Sequence, residues 1–240
     1  MRRLLPLLAT VCLLAGAASA GTFSFSADSM TGAMTKGRER VILDGNAVVV
    51  SDSMTIRADR IELYGEDFRY ADCSGNVSMV DGDRGLRLTT ARLLYDREDK
   101  LSKLSGPSVM EDRQSGVVVK GDYIEHDDKR DIALIQINVR ILKDDIVCRS
   151  EFARYDRGAN TLELSGSPYV KKGSDEYRAS LISVNLDTED IVLDGSVSGT
   201  VSSAEGDDDQ EAQPPQTEPG PATPDVQEPS APDGGVESTP

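Results

Sequence analysis

The sequence predicts an all-β fold, a stack of creased antiparallel hairpins that repeats about every 30 residues. Three observations predict it. Apolar and polar residues alternate with period two, and no helical period is sustained after residue 20. Short polar clusters that suit hairpin tips separate the runs: SDS (51–53), GED (65–67), DGD (81–83), DDK (127–129), KDD (143–145) and KKG (171–173). A glycine returns at a nearly fixed step.

Taken in order, residues 1–20 come first. Arg2 and Arg3 precede an apolar run from Leu4 to Ala15, and Ala18-Ser19-Ala20 offers a small-residue cleavage site. That is the pattern of a secretory signal peptide, and the run is too short for a membrane span. The exported chain is expected to begin at Gly21 and to occupy an oxidising compartment. Cys12 suits a lipid-bearing cysteine poorly, because apolar residues continue after it.

Residues 21–202 are expected to form one domain, since neither Gly nor Pro clusters within them. The recurring glycines are Gly45 in LDGN, Gly75 in CSGN, Gly106 in LSGP, Gly166 in LSGS and Gly195 in LDGS, with Ile137 of IQIN between the third and fourth. The steps are 30, 31, 31, 29 and 29 residues. Two residues before each marker stand Leu43, Cys73, Leu104, Ile135, Leu164 and Leu193. Four residues after stand Val49, Met79, Met110, Ile141 and Val170, with Gly199 breaking the rule. Eleven residues before the later markers stand Tyr64, Tyr95, His126, Tyr155 and Val184.

Period two runs straight through the markers: Leu43, Gly45, Ala47 and Val49 share one face, as do Ile135, Ile137, Val139 and Ile141. A glycine weakens a flat strand, but it serves where the strand bends. The returning strands carry small residues near their middles: Ala58, Gly121, Ser150 and Ala179. We read these positions as fold lines. Aligned bends crease the sheet so that one apolar face lines the inside, over a length on the order of 50 Å at about 4.8 Å per strand. The alternative is that the glycines are ordinary turn residues ending short strands.

The inward set is Leu43, Val49, Ile56, Cys73, Val77, Met79, Leu104, Met110, Ile135, Val139, Ile141, Leu164, Val170 and Leu193. A sealed core would give the same alternation as an open trough. Cys73 and Cys148 lie about two and a half repeats apart, roughly 20 Å along the stack, too far for a disulfide, so two buried free thiols are expected. His126, the only histidine, fills a slot otherwise held by Tyr or Val and is read as a packing residue. No nucleophile elbow and no metal-ligand spacing occur, and Asp81, Asp83, Asp127 and Asp128 read as solvated turns, so neither catalytic nor metal residues are expected. KGRER (36–40) is the densest basic run, either a solvated turn or a contact for lipid phosphate at one rim. Open strand edges are expected near Phe23 to Ala27 and Val197 to Ser202.

Residues 203–240 hold eight of the eleven prolines and ten acidic residues with no Lys or Arg. This composition predicts a disordered tail, and it carries much of the net charge of −16. The remaining domain is only moderately acidic, which argues against a nucleic-acid partner.

LDGNAVVVSDSMTIRADRIELYG (43–65) resembles the signature of the OstA-like family of lipopolysaccharide-transport proteins, typified by LptA. FSADSMTGAM (25–34) is similar to that family's lead-in strand, and LSGPSVMEDRQSGVVVKGDYIEH (104–126) to a second copy. The resemblance implies a V-shaped β-jellyroll of stacked antiparallel strands. It implies a periplasmic bridge component carrying lipopolysaccharide or a related glycolipid toward the outer membrane. The acyl chains would lie on the inward set above, with no cofactor and no catalysis. Implied partners are proteins of the same fold in inner- and outer-membrane complexes, joined end to end through edge strands, with head-to-tail self-association also open. The competing reading is a structural or adhesive β-repeat protein with a sealed core and no lipid.

Overall fold

The computed structural model describes residues 22–202 except Met34, Lys36 and Arg38. The expected signal peptide (1–20, with Cys12) and acidic tail (203–240) lie outside the described residues. All described residues belong to one unit ending at Ser202.

Sixteen strands form one antiparallel sheet. They are β1 (Phe23–Ser26), β2 (Ser29–Ala33), β3 (Arg40–Ser51), β4 (Met54–Tyr64), β5 (Tyr70–Asp81), β6 (Leu86–Asp96), β7 (Leu101–Asp112), β8 (Val117–Asp127), β9 (Ile132–Lys143), β10 (Ile146–Asp156), β11 (Thr161–Ser165), β12 (Tyr169–Lys172), β13 (Asp175–Arg178), β14 (Leu181–Asn185), β15 (Ile191–Asp194) and β16 (Ser198–Thr200). Strands β3 to β10 pair with their sequence neighbours throughout. The architecture is the expected V-shaped jellyroll of stacked antiparallel strands.

The creases are where the sequence puts them. Asp44 pairs with Arg60 and Ala47 with Ala58, so Gly45 and Asn46 face a single residue, Asp59. The same kind of register break recurs at Ser74/Val77, Ser105/Ser108 and Ser150/Phe152. Such two-against-one bulges bend and twist a strand. The backbone turns left-handed there, with φ of 77° and 46° at Gly45 and Asn46 and 75° and 48° at Gly75 and Asn76. Ile137 and Asn138 adopt the same pair at 64° and 57°, so the one marker that is not glycine bends as the others do. In the last repeats the marker ends a strand instead: β11 stops before Gly166 and β15 before Gly195.

The creases divide every long strand between two arms. One arm, here the first, carries β1, the segments 47–58 of the β3–β4 hairpin and their equivalents, and β12, β13 and β16. The second carries β2, residues 40–44 and 60–64 and their equivalents, and β11, β14 and β15. Each open end therefore has two edges, β1 with β2 and β15 with β16, twice the number read from the sequence. Between the arms runs one continuous apolar cluster from Val41 to Leu186.

Three of the creases are also tied across strands by an Asn–Asp bond. Asn46 Nδ2 donates to Asp28 at 2.9 Å, Asn76 Nδ2 to Asp59 at 2.9 Å and Asn138 Nδ2 to Asp122 at 2.5 Å. These carboxylates come from Ala27-Asp28, Ala58-Asp59 and Gly121-Asp122, so the small residue turns inward while the acid beside it caps the bend.

Candidate functional site

The interior is built by alternation. Thirteen of the fourteen inward residues predicted from sequence are buried, from 0% exposed at Leu43 to 8% at Val49. Leu193 is only half buried and packs against the cluster from the edge strand β15, which has no outer neighbour on its arm. Cys73 and Cys148 are free and buried, and burial pushes both thiols up to about 12. Of the column eleven residues before each marker, Tyr95, His126, Tyr155 and Val184 point inward. Tyr64 does not; Leu63 takes its place, because the tip after β4 (65–69) is one residue longer than the tips at 97–100 and 128–131. Tyr64 instead stacks on Tyr70 with ring centroids 5.3 Å apart.

The hairpin tips of each arm stack in a row. On the second arm Arg97 N donates to Arg69 O, Asp128 N to Lys100 O, Arg157 N to Asp131 O and Leu186 N to Asn160 O. On the first, Gly82 N donates to Ser53 O, Arg113 N to Gly85 O and Gly173 N to Asp145 O. The rows face each other across the mouth of the fold, and over most of its length polar bridges pin that seam. Arg84 of the first arm reaches Asp131 at 2.9 Å and the Asp128 carbonyl at 2.7 Å. Arg157 of the second arm donates from Nε to Asp112 at 2.8 Å and from Nη1 to Asp131 at 2.9 Å. Ser115 and Tyr155 share a hydrogen bond at 3.1 Å. Lys143 donates to the Leu186 carbonyl at 2.7 Å, and Lys172 pairs with Glu189 at 2.5 Å.

The central bridge is nearly dry: the side chains of Arg157 and Asp112 are 6% and 3% exposed. Burial works to raise the Asp112 carboxyl, but Arg157 and the Gln114 N–H outweigh it and hold the group below the ordinary carboxylate range. At Asp128, burial is likewise outweighed by His126, Arg84 and Lys100. Two of the acids read as solvated turns are thus buried, Asp81 and Asp128. Asp81 accepts from Ser53 Oγ at 3.0 Å and from the N–H groups of Asp83 and Arg84, and these bonds offset its desolvation. His126 is a wholly buried packing residue whose Nδ1 lies 3.0 Å from Asp128, and its Nε2 has no partner.

At the N-terminal end, among the described residues, no polar bridge joins the tips at 52–53 and 65–69 across the seam. The arms part around a cavity of about 380 Å³, within the range of small-molecule sites. Its walls are apolar: Phe23, Val49, Met54 and Ile56 from the first arm, Leu63, Phe68, Ala71 and Tyr95 from the second. Phe23 and Phe68 meet edge to face with centroids 5.7 Å apart. The rim carries Arg69, Arg84, Arg97 and Lys100 together with Asp52, Asp81 and Asp128. Only Val49 and Ile56 of the predicted inward set line this cavity. The basic run KGRER does not: Arg40 pairs with Glu62 at 2.8 Å, and Lys36 and Arg38 lie outside the described residues. Tyr95 had a sequence signal in its repeat column; Phe23, Met54 and Phe68 had none.

Among the described residues no group of His, Cys, Asp or Glu is arranged to hold a metal ion, and no helix is long and apolar enough to cross a membrane. A family model described as OstA-like protein matches residues 24–162. Among solved structures, the chain is similar to LptH of Pseudomonas aeruginosa, described as the LptA-homologous periplasmic component of the lipopolysaccharide transport device. The similarity is 8% identity over 76% of this chain and 96% of that one, with a TM-score of 0.23. No curated protein matches.

Proposed function

The chain belongs to the OstA-like family, and from that premise we propose that it is a periplasmic, non-catalytic bridge component that carries lipopolysaccharide or a related glycolipid toward the outer membrane. The acyl chains lie between the two arms, against the inward set from Leu43 to Leu193. The observation that carries this reading is the continuous apolar interior, contributed to by every repeat, that opens into a cavity at one end. Burying acyl chain is worth about 0.8 kcal/mol per CH₂, so apolar contact alone holds a multi-chain lipid without any reaction. Deeper in, the inward residues from Cys73 to Val170 are at most 3% exposed, so lipid passage requires the arms to spread.

Assembly uses the ends. The edge strands leave Phe25 of β1 44% exposed and Val192 of β15 64% exposed, and unpaired edges recruit further strands. Head-to-tail pairing, with a second copy or with partners of the same fold, joins one interior to the next. The acidic tail restrains unwanted self-stacking at the second end. Sizing the protein with and without residues 203–240 tests this, and identical association states would count against it.

The sealed interior also favours a second reading, a structural repeat protein with no ligand. A photo-crosslinking residue placed at Val49, and separately at the neighbouring outward position Val48, separates the two in cells. The lipid-carrier reading expects lipid adducts at position 49 and few at 48. Absence of adducts at 49, or equal yields at both, favours the sealed protein.

A further inference from the structure

The rim of the N-terminal cavity is not electrically uniform, and its ion pairs divide it. Arg69 is bound to Asp96, Glu98 and Asp99, and Arg84 to Asp128 and Asp131. Asp81 is held by Ser53 and two backbone N–H groups, Asp128 sits against His126, and Asp52 stands at the exposed hairpin tip of the first arm. Two cations are left over. Arg97 and Lys100 share one tip of the second arm, and neither forms an ion pair among the described residues. The Arg97 side chain donates only to the Asp67 carbonyl, at 2.7 Å, and its guanidinium lies 5.8 Å from the centre of the Phe23 ring. Lys100 is exposed.

From this arrangement we infer that the N-terminal cavity seats an anionic amphiphile, its charged headgroup on Arg97 and Lys100 and its chain between Val49, Ile56, Leu63 and Ala71. The inference rests on the acyl-binding reading above and adds the headgroup subsite. A guanidinium and an ammonium side by side suit a phosphate or carboxylate, the first as a fork and the second as a point charge. The apolar wall begins at Phe23, directly beneath Arg97, so one molecule spans both parts. Farther along the seam Arg84, Arg157, Lys143 and Lys172 are already bridged to the opposite arm, and a headgroup on any of them would have to displace Asp112, Asp131, Asp187 or Glu189.

The test is binding to the purified full chain by calorimetry, with dodecyl phosphate, dodecanoate, dodecyl maltoside and inorganic phosphate as probes. For R97Q/K100Q the expected result is a roughly tenfold weaker Kd for the two anionic amphiphiles, the loss of one to two exposed charge-assisted contacts. The neutral maltoside should bind the double variant and the parent alike, and inorganic phosphate should bind neither measurably. A larger loss for dodecyl phosphate than for dodecanoate assigns the subsite to phosphate headgroups, the reverse to carboxylates. K100Q alone, at an exposed side chain without bonds to the fold, keeps the test valid if the double variant melts early; a several-fold loss is expected for it. Unchanged binding of the anionic probes to both variants overturns the headgroup subsite while leaving chain binding intact. Failure of all three amphiphiles to bind the parent overturns the acyl-binding reading itself, and the subsite with it.

Discussion

Replacing Gly75 by alanine tests the crease most simply. The residue has φ of 75°, and an added Cβ would lie 2.9 Å from both Cβ and Cγ of Asp59. A left-handed conformation costs a non-glycine residue roughly 1–2 kcal/mol. Asp59 must also shift at its Cβ, not merely at its carboxylate, which breaks the 2.9 Å bond from Asn76 and loses about 0.5–1.5 kcal/mol more. Alanine returns about 0.4–1 kcal/mol by restricting the unfolded chain. The net loss is about 2 kcal/mol, a fall in Tm of roughly 4–8 °C for a domain of this size. Gly116 is the control: its φ is 72° and nothing lies within 4 Å of the added Cβ, so G116A carries the strain alone, about 0.5–1 kcal/mol after the same correction. Urea unfolding read at constant m measures both. On a D59G background, which removes the Cβ as well as the carboxylate, the extra cost of G75A should vanish. Equal costs for G75A and G116A in the parent protein would refute the argument that the glycine is required by the carboxylate packed over it.

Ile137 gives the converse case. It is a β-branched residue at φ 64° and is 53% exposed, so I137G should be more stable than I137A by about 1 kcal/mol, inverting the usual order of alanine over glycine; denaturation midpoints that keep the usual order would contradict this. At the seam, R157M alone should cost about 3–5 kcal/mol by stranding a buried carboxylate, whereas D112L/R157M should be nearly neutral. Because the folded pKa of Asp112 is depressed, the pair contributes its stability above the unfolded carboxylate pKa near ~3.9, and that contribution is lost as pH falls through the lower folded value. The acid limb of a Tm-versus-pH curve should therefore be shallower in the double variant. Finally, the free thiols of Cys73 and Cys148 should resist a thiol reagent at pH 8 in the native protein and react once it is unfolded; prompt native reaction at either would show the interior to be open there.

The fold was legible because its rule is local and periodic. A glycine at every thirtieth position, with period-two alternation continuing past it, marks a bend rather than an end, and residues 45, 75 and 106 obey. Ile137 hid its bend behind an ordinary strand residue, and only its place in the spacing revealed it. The acids Asp28, Asp59 and Asp122 share the same spacing, yet they were invisible as caps until the bulge set each over its marker. The seam was not legible at all. Arg84, Asp112, Asp131 and Arg157 each look like solvated hairpin residues, and their pairings cross arms at separations of 45 residues for Arg157–Asp112 and 47 for Arg84–Asp131. The headgroup candidates failed for the same reason: local charge density favoured residues 36–40, whereas the cavity rim is assembled from tips distant in sequence.

The central claim is that the space between the arms takes up long-chain amphiphile, and the most direct measurement is native mass spectrometry of the protein gently purified from its own envelope. The claim expects a bound species with the mass of an anionic lipid, retained at moderate activation and lost from a V49D variant that still unfolds cooperatively. A parent protein that flies only at its bare polypeptide mass, even after incubation with total envelope lipid, would contradict it.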